Sequence, residues 1–145
     1  RPRAVVKNIT LHLDNDPNAV ALCDEISLVQ TLDNILSNAV KYSPLGKNIY
    51  VRVRSYGSSA DTMVRFEVQD EGPGLTEEDK TKLFGKFAKL SAQPTGKEHS
   101  TGLGLSIVKK LVEAMDGRVW CESEEGKGAT FIVDLPQATE MQYSK

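Results

Sequence analysis

The fold of this chain is decided by two glycine clusters. They are Asp70-Glu71-Gly72-Pro73-Gly74-Leu75 and, about thirty residues further on, Ser100-Thr101-Gly102-Leu103-Gly104-Leu105. Between them lies a polar segment without regular periodicity, and the second cluster opens a strongly amphipathic helix. The unpaired N–H groups at the start of a helix bind anions. The arrangement therefore predicts a nucleotide held between a contact to its base and a helix N-terminus.

Composition indicates a globular domain with no bulk charge to attract a polyanion. The 145 residues, 39% hydrophobic and 26% charged, are typical of one domain that buries a core. With a net charge of −2, any bound anion must be held by a local site. Cys23 and Cys121 form no Cys-x-x-Cys pair, so we expect two buried thiols in a reducing compartment rather than a zinc site or a disulfide. No apolar run approaches the roughly 18 residues of a membrane span.

Hydrophobic periodicity predicts an α/β (α+β) two-layer sandwich. Its sheet is mixed and mostly antiparallel, and about three helices cover one face. Strands are expected at residues 5–13, 49–54, 64–70, 119–123 and 130–135, with a short strand at 19–23. Helices are expected at 25–42, 77–84 and 103–115, and a long polar loop, of the kind that forms lids, at 85–101. We expect residues 1–137 to form the domain and 138–145 a disordered tail. The first residue is Arg1, so the chain resembles a piece of a longer protein.

Three polar residues align on the first long helix. At about 100° per residue, Asn34, Asn38 and Lys41 fall on one face, opposite the apolar stripe. A solvated helix face is the ordinary interpretation of such a stripe. The functional interpretation is that the Asn38 carbonyl oxygen binds Mg²⁺, which keeps waters and phosphate oxygens as its other ligands, while Lys41 meets a phosphate.

Asp70 ends a predicted strand on the same side as three apolar residues: Val64, Phe66 and Val68. A carboxylate aligned with a core stripe needs a partner. Because it only accepts hydrogen bonds, it would select adenine, which presents an amino donor where guanine has a carbonyl. The simpler alternative is a turn residue before Gly72 and Gly74, whose lack of side chains would let the backbone approach a base.

The sequence resembles that of sensor histidine kinases in five boxes, which occur in the family's order over residues 20–136. The boxes are Asn34-Ile35-Leu36-Ser37-Asn38-Ala39-Val40-Lys41-Tyr42 (N box), Asp70 to Leu75 (G1 box), Leu83-Phe84-Gly85-Lys86-Phe87 (F box), Thr101 to Leu105 (G2 box) and Gly126-Lys127-Gly128-Ala129-Thr130-Phe131. The resemblance implies the Bergerat ATP-binding fold that DNA gyrase, heat-shock protein 90 and MutL share.

The resemblance also implies a set of site residues, with ATP (ADP as product) and Mg²⁺ as cofactors. Asn38 would bind the metal, and Asn34, Asn38 and Lys41 would form the catalytic group. Asp70 would bond the adenine amino group, with Thr130 supporting it through water. The remaining nucleotide contacts would come from Tyr42, Gly72, Gly74, Leu75, Lys89, Thr101, Gly102, Leu103, Gly104 and Leu105.

Asn34 distinguishes this chain from the gyrase-like ATPases that it resembles, because those proteins carry a Glu at the corresponding position. An amide cannot act as a general base at neutral pH, which favours phosphoryl transfer to a protein over hydrolysis. Neither His12 nor His99 lies in the sequence context of a phosphoacceptor histidine. We therefore expect the acceptor on a separate dimerisation domain of the same protein, and a response-regulator receiver domain downstream.

Two other functions stay open at this point. One is a serine kinase of the anti-sigma type or an ATPase module with the same fold. The other is a nucleotide-binding docking module that transfers no phosphate. We expect the domain to be cytoplasmic and to contact neither nucleic acid nor membrane directly, and leave open whether the parent protein is anchored to a membrane.

Overall fold

A computed structural model describes residues 10–17, 19–42, 46–57, 62–84, 104–124 and 126–138. The strands are β1 (Thr10–Asn15), β2 (Asn48–Tyr56), β3 (Met63–Gln69), β4 (Arg118–Ser123) and β5 (Ala129–Pro136). They form one sheet in the order β1-β2-β3-β5-β4. β1 is parallel to β2, and the other neighbours are antiparallel. The predicted mixed, mostly antiparallel sheet is confirmed.

The described residues form three helices, as predicted: α1 (Glu25–Tyr42), α2 (Glu77–Lys82) and α3 (Gly104–Ala114). Asp24 caps α1, because its Oδ2 accepts a hydrogen bond from the Ser27 backbone N–H at 3.0 Å. At the start of α2, Thr76 and Asp79 form a capping box in which each side chain accepts from the other residue's N–H. These caps satisfy N–H groups that have no partner within the helix. No helix among the described residues combines the length and the hydropathy that crossing a bilayer requires.

The hydrophobic core lies between the helices and one face of the sheet. Alternate residues of β3 and β5, together with one side of α1 and one side of α3, are almost completely buried: Ile35, Ala39, Val64, Val68, Val108, Val112, Phe131, Val133 and Leu135. Leu83, at the end of α2, joins the same cluster. All three helices therefore contribute to one layer.

The connections determine which end of each helix lies near the end of β3. Only residues 43–47 separate α1 from β2, and β2 begins beside the end of β3, since Tyr50 pairs with Gln69. The last turn of α1 therefore lies at the end of the sheet where β3 leads into Asp70. The α1 start lies at the opposite end, where the Leu22 N–H donates to the Pro136 carbonyl at 2.7 Å.

The same reasoning places α3. It ends shortly before β4, and β4 begins at Arg118, opposite Asp134 near the end of β5. Because β5 is antiparallel to β3, this is the end of the sheet away from Asp70. The N-terminal turn of α3 therefore points toward the Asp70 end.

The structure differs from the predicted elements at both ends of the domain. The short strand predicted at residues 19–23 is an isolated bridge between Ala21 and Gln137. Described strand β1 starts at Thr10, and the predicted part before it lies outside the described residues. Ala138, predicted to begin the tail, is buried and donates its N–H to the Val20 carbonyl at 2.7 Å. Residues 139–145 lie outside the description, so their disorder stays a prediction.

Candidate nucleotide site

Asp70 is a buried carboxylate fixed by backbone N–H groups. Its Oδ1 accepts hydrogen bonds from Gly72 N at 2.9 Å and from Ala129 N at 3.1 Å. The residue is 5% exposed, and its position one residue beyond Gln69 puts it on the helix side of the sheet by strand alternation. The sequence expectation that this acid needs a partner is confirmed, and its partners belong to the backbone.

The second oxygen of Asp70 is the acceptor that the site can offer. No hydrogen bond within the described residues reaches Oδ2, while Oδ1 accepts two. Burial raises the pKa of this carboxyl, and the hydrogen bonds from Gly72 and Ala129 oppose the rise. A carboxylate oxygen that keeps capacity to accept favours a ligand with an N–H donor, because a hydrogen bond to a charged group contributes roughly 1.5–3 kcal/mol.

The loop from Asp70 to Leu75 is held against the β4–β5 turn. The Gly126 N–H donates to the Pro73 carbonyl at 2.5 Å. Gly74 has φ +75°, and a Cβ there would lie 2.1 Å from the Glu124 carbonyl oxygen. Gly128 has φ +82°, and its Cβ would lie 2.4 Å from the Asp70 carbonyl oxygen. Gly74 therefore permits close packing against the turn, whereas the sequence suggested approach to a base.

The polar face of α1 adjoins the buried face. Asn34, Asn38 and Lys41 are half-buried, next to the fully buried Ile35 and Ala39. Among the described residues, no side-chain hydrogen bond of Asn38 competes for its amide oxygen. Asn38 and Lys41 lie in the last two turns, at the end of α1 that reaches the Asp70 end of the sheet. Their placement would allow the Asn38 amide oxygen to coordinate a metal ion and the Lys41 ammonium group to contact an anion in the same bound molecule.

The first turn of α3 supplies backbone donors without a competing anion. It begins at Gly104 and contains no acidic residue, so its N–H groups and positive dipole end favour an anion. Leu105, predicted to contact the nucleotide, is half-buried and packs against the core. The predicted contacts Lys89, Thr101, Gly102 and Leu103 lie outside the described residues, as does the side chain of Tyr42.

The structure places Thr130 and Leu75 differently from the sequence expectation. Thr130 pairs with Gln69, so it lies on the opposite face of the sheet from Asp70. On that face, Thr130 and Gln69 line a pocket of about 240 Å³. The residue that reaches Asp70 is Ala129, through its N–H. Leu75 is 6% exposed within the core, so its side chain supports the loop from beneath.

Two residues of the site were missed by sequence reasoning. Ala129 carries no polar side chain, so no sequence signal could have identified its N–H as a donor to Asp70. Ser123 did leave a signal: it follows Val119 and Cys121 in strand alternation, as a polar residue on the side that packs against the core. Its Oγ accepts from Leu75 N at 2.9 Å and donates to the Gly128 carbonyl at 2.7 Å.

Cys121 lies on this same side of β4. Burial raises the pKa of the Cys121 thiol to about 12, and the charge of Asp70 adds to that rise. Burial also raises the pKa of Cys23. Both cysteines are free and half-buried, whereas the sequence analysis expected the thiols to be buried.

Comparison with known proteins gives a consistent result at the level of family, sequence and structure. Residues 23–139 match the family model described as histidine kinase-, DNA gyrase B- and HSP90-like ATPase. The sensor histidine kinase WalK of Bacillus subtilis is 38% identical over 82% of this chain, which spans 19% of the length of WalK. The structure of full-length ShkA in complex with AMPPNP superimposes with a TM-score of 0.78 and 33% identity, over 95% of this chain and 27% of that one. The catalytic domain of the histidine kinase ThkA, in a nucleotide-free form, gives a TM-score of 0.72 and 28% identity, over 94% of this chain and 84% of that one.

Proposed function

The chain belongs to the family of histidine kinase-, DNA gyrase B- and HSP90-like ATPases, and from this premise we propose that it is the ATP-binding catalytic domain of a sensor histidine kinase. The observation that carries the proposal is the orientation and location of the Asp70 carboxylate. Its Oδ1 accepts hydrogen bonds from two backbone N–H groups, and no hydrogen bond from the described part of the chain reaches its Oδ2. The residue lies at the end of the sheet that the last turn of α1 and the first turn of α3 also reach.

Recognition of adenine falls to Asp70 in this proposal. The ionised carboxylate accepts but cannot donate, so Oδ2 pairs with the exocyclic amino group of adenine and meets only a carbonyl in guanine. A hydrogen bond to a charged group contributes roughly 1.5–3 kcal/mol. This corresponds to about a ten- to hundredfold preference for adenine nucleotides.

Binding of the phosphates falls to the two helix ends. The half-buried Asn38 and Lys41 fit a carbonyl ligand for Mg²⁺ and a cation for a phosphate, and the acid-free first turn of α3 fits a phosphate through its N–H groups. Magnesium would neutralise phosphate charge when bound. The protein's own contribution to phosphoryl transfer is then to position the nucleotide and to hold charge opposite the phosphates.

Asn34 argues for transfer to a protein rather than to water. It precedes Asn38 by one helical turn on the same face of α1 and carries an amide, which cannot take a proton from water at neutral pH. We propose that the acceptor is a histidine on a dimerisation domain of the same protein, and that a response-regulator receiver domain accepts the phosphoryl group next. The proposed location of the domain is cytoplasmic.

Isothermal titration of the 145-residue chain with ATP, ADP, GTP and GDP, in the presence of Mg²⁺, tests the binding part. The proposal requires adenine nucleotides to bind at least tenfold more tightly than guanine nucleotides. Equal affinities would remove the role given to Asp70.

Phosphoryl transfer is tested by mixing this chain with the separately expressed acceptor domain and ATP labelled at its γ-phosphate. The proposal predicts label on the acceptor domain that is lost in acid, as a phosphohistidine is, and retained in alkali. Acid-stable label would indicate a serine kinase instead, and release of free phosphate without labelling would indicate an ATPase.

A further inference from the structure

We propose that Ser123 is a positioning residue of the nucleotide site, because its single hydroxyl joins the loop that begins at Asp70 to the β4–β5 turn. The inference rests on the function proposed above and names a residue that acts through Asp70. Ser123 Oγ accepts from the Leu75 backbone N–H at 2.9 Å and donates to the Gly128 carbonyl oxygen at 2.7 Å. A hydroxyl can do both at once.

Each group that Ser123 holds is close in sequence to a donor of Asp70. Gly128 directly precedes Ala129, whose N–H donates to Asp70 Oδ1. Leu75 closes the loop in which the Gly72 N–H donates to that same oxygen. Ser123 therefore constrains both backbone segments, the loop at Gly72 and the start of β5 at Ala129, whose N–H groups orient the carboxylate. The direction in which Oδ2 points depends on that orientation.

The other contacts between the loop from Asp70 to Leu75 and the β4–β5 turn are made by the backbone. The Gly126 N–H reaches the Pro73 carbonyl, and Gly74 packs against the Glu124 carbonyl. Among the described residues, Asp70 and Ser123 are the side chains whose hydrogen bonds join this loop to the turn. Removal of the Ser123 hydroxyl leaves one donor and one acceptor unpaired and loosens the spacing between loop and turn.

The test uses three variants of the 145-residue chain. S123A removes the hydroxyl, and S123T keeps it. S55A is a matched control, because Ser55 is also half-buried and donates one hydrogen bond, to Gln137 Oε1 at 2.9 Å, at the end of the sheet away from Asp70. Dissociation constants for ADP and GDP are measured by isothermal titration, well below the melting temperature of every variant.

S123A is expected to weaken ADP binding about three- to tenfold, the effect of one hydrogen bond. GDP, which makes no favourable contact with Asp70, should be affected less, so the ratio of the two affinities falls. S123T should restore both the affinity and the ratio. S55A should lower the melting temperature without changing either dissociation constant.

Unchanged ADP affinity in S123A, or a loss of ADP and GDP affinity by equal factors, would overturn the positioning role. Should S123A not fold, S123C replaces it: its weakly bonding thiol must reduce the ADP-to-GDP ratio relative to S123T, and an equal ratio would overturn the inference. These failures differ from failure of the proposed function, in which the unmodified chain itself does not prefer ADP to GDP.

Discussion

The backbone N–H of Ala129 donates to Oδ1 of Asp70 at 3.1 Å, from β5 to the residue that follows β3. The reverse pair, from Asp70 N to the Ala129 carbonyl at 2.9 Å, extends the ladder between the two strands by one step. The carboxylate is therefore oriented by the sheet itself. A ligand would meet an acceptor that is in place before binding.

Replacing Asp70 with Asn should separate stability from recognition. The amide oxygen can still accept from Gly72 and Ala129, while the amide N–H₂ replaces Oδ2 and opposes the adenine amino group. We expect D70N to lose most of its ADP affinity and to gain GDP affinity relative to ADP, with a melting temperature at pH 7 no lower than that of the unmodified chain. Titration calorimetry and thermal unfolding measure the two effects. A lower melting temperature would show that the charge stabilises the fold.

Burial fixes the sign of the pH dependence that the Asp70 carboxyl gives to the stability of the unmodified chain. Because burial raises the pKa of Asp70 above its ordinary value of 3.8, the folded protein binds this proton more readily than the unfolded chain does. The group therefore makes stability fall as pH rises from 3.8 through the raised value. The free energy of unfolding of D70N minus that of the unmodified chain should increase over this interval and be level above it. A difference that shrinks with rising pH would contradict the assignment.

Replacing Asn38 with Ala should remove the dependence of binding on metal. If its carbonyl oxygen is a Mg²⁺ ligand, ADP affinity in Mg²⁺ should exceed that in EDTA for the unmodified chain and not for N38A. N38D keeps an oxygen at this position and should retain a dependence on Mg²⁺. Titrations in both buffers provide the comparison. An equal benefit from Mg²⁺ in N38A would place the metal elsewhere.

Gly128 and Gly126 form a matched pair for measuring how tightly the loop and turn pack. Both have positive φ, +82° and +86°, but a Cβ on Gly128 would lie 2.4 Å from the Asp70 carbonyl oxygen, whereas a Cβ on Gly126 meets nothing within 4 Å. G126A should cost roughly 1–2 kcal/mol of unfolding free energy through backbone strain. G128A should cost about 1–3 kcal/mol more through the clash. Equal losses by urea denaturation would mean that the loop moves away at no cost.

Thr31 carries a hydroxyl whose removal should stabilise the domain. The residue is fully buried in α1, and its Oγ1 has no hydrogen-bond partner within the described part of the chain. Valine has nearly the same shape and a similar helix propensity. T31V should therefore raise the free energy of unfolding by about 1 kcal/mol. T76V is the contrasting control, because it removes a cap that accepts from Asp79 N and should destabilise by a similar amount. A loss of stability in T31V would contradict this interpretation.

The sequence was sufficient for the features that depend on periodicity. The helix bearing Asn34 and Asn38 was predicted as Glu25 to Tyr42 and is observed over the same residues. Asp70 could be identified because it alternates in phase with Val64 and Val68. A carboxylate on the side of a strand that faces the core is unusual and indicates a specific role. Each of these inferences uses only neighbours along the chain.

Features that depend on pairing between strands could not be predicted in this way. Alternation assigns Thr130 to one face of its own strand, but whether this is the face that Asp70 occupies depends on the register of β3 against β5. The sequence also gives no signal for the parallel pairing of β1 with β2. Asp116, rather than the neighbouring Gly117, adopts the left-handed conformation after α3, with φ 61°. Gly117 is required there because a Cβ would lie 2.4 Å from the Asp134 carbonyl oxygen.

The central claim is that the last turns of α1, the end of β3 and the first turn of α3 contact one nucleotide. The most direct measurement is an NMR titration of the ¹⁵N-labelled chain with Mg-ADP. The account predicts that the amide resonances of Asn38, Gly72 and Leu105 shift together, with a single dissociation constant. Shifts confined to the opposite face of the sheet, at Gln69, Glu122 and Thr130, with Asn38 and Gly72 unchanged, would contradict it.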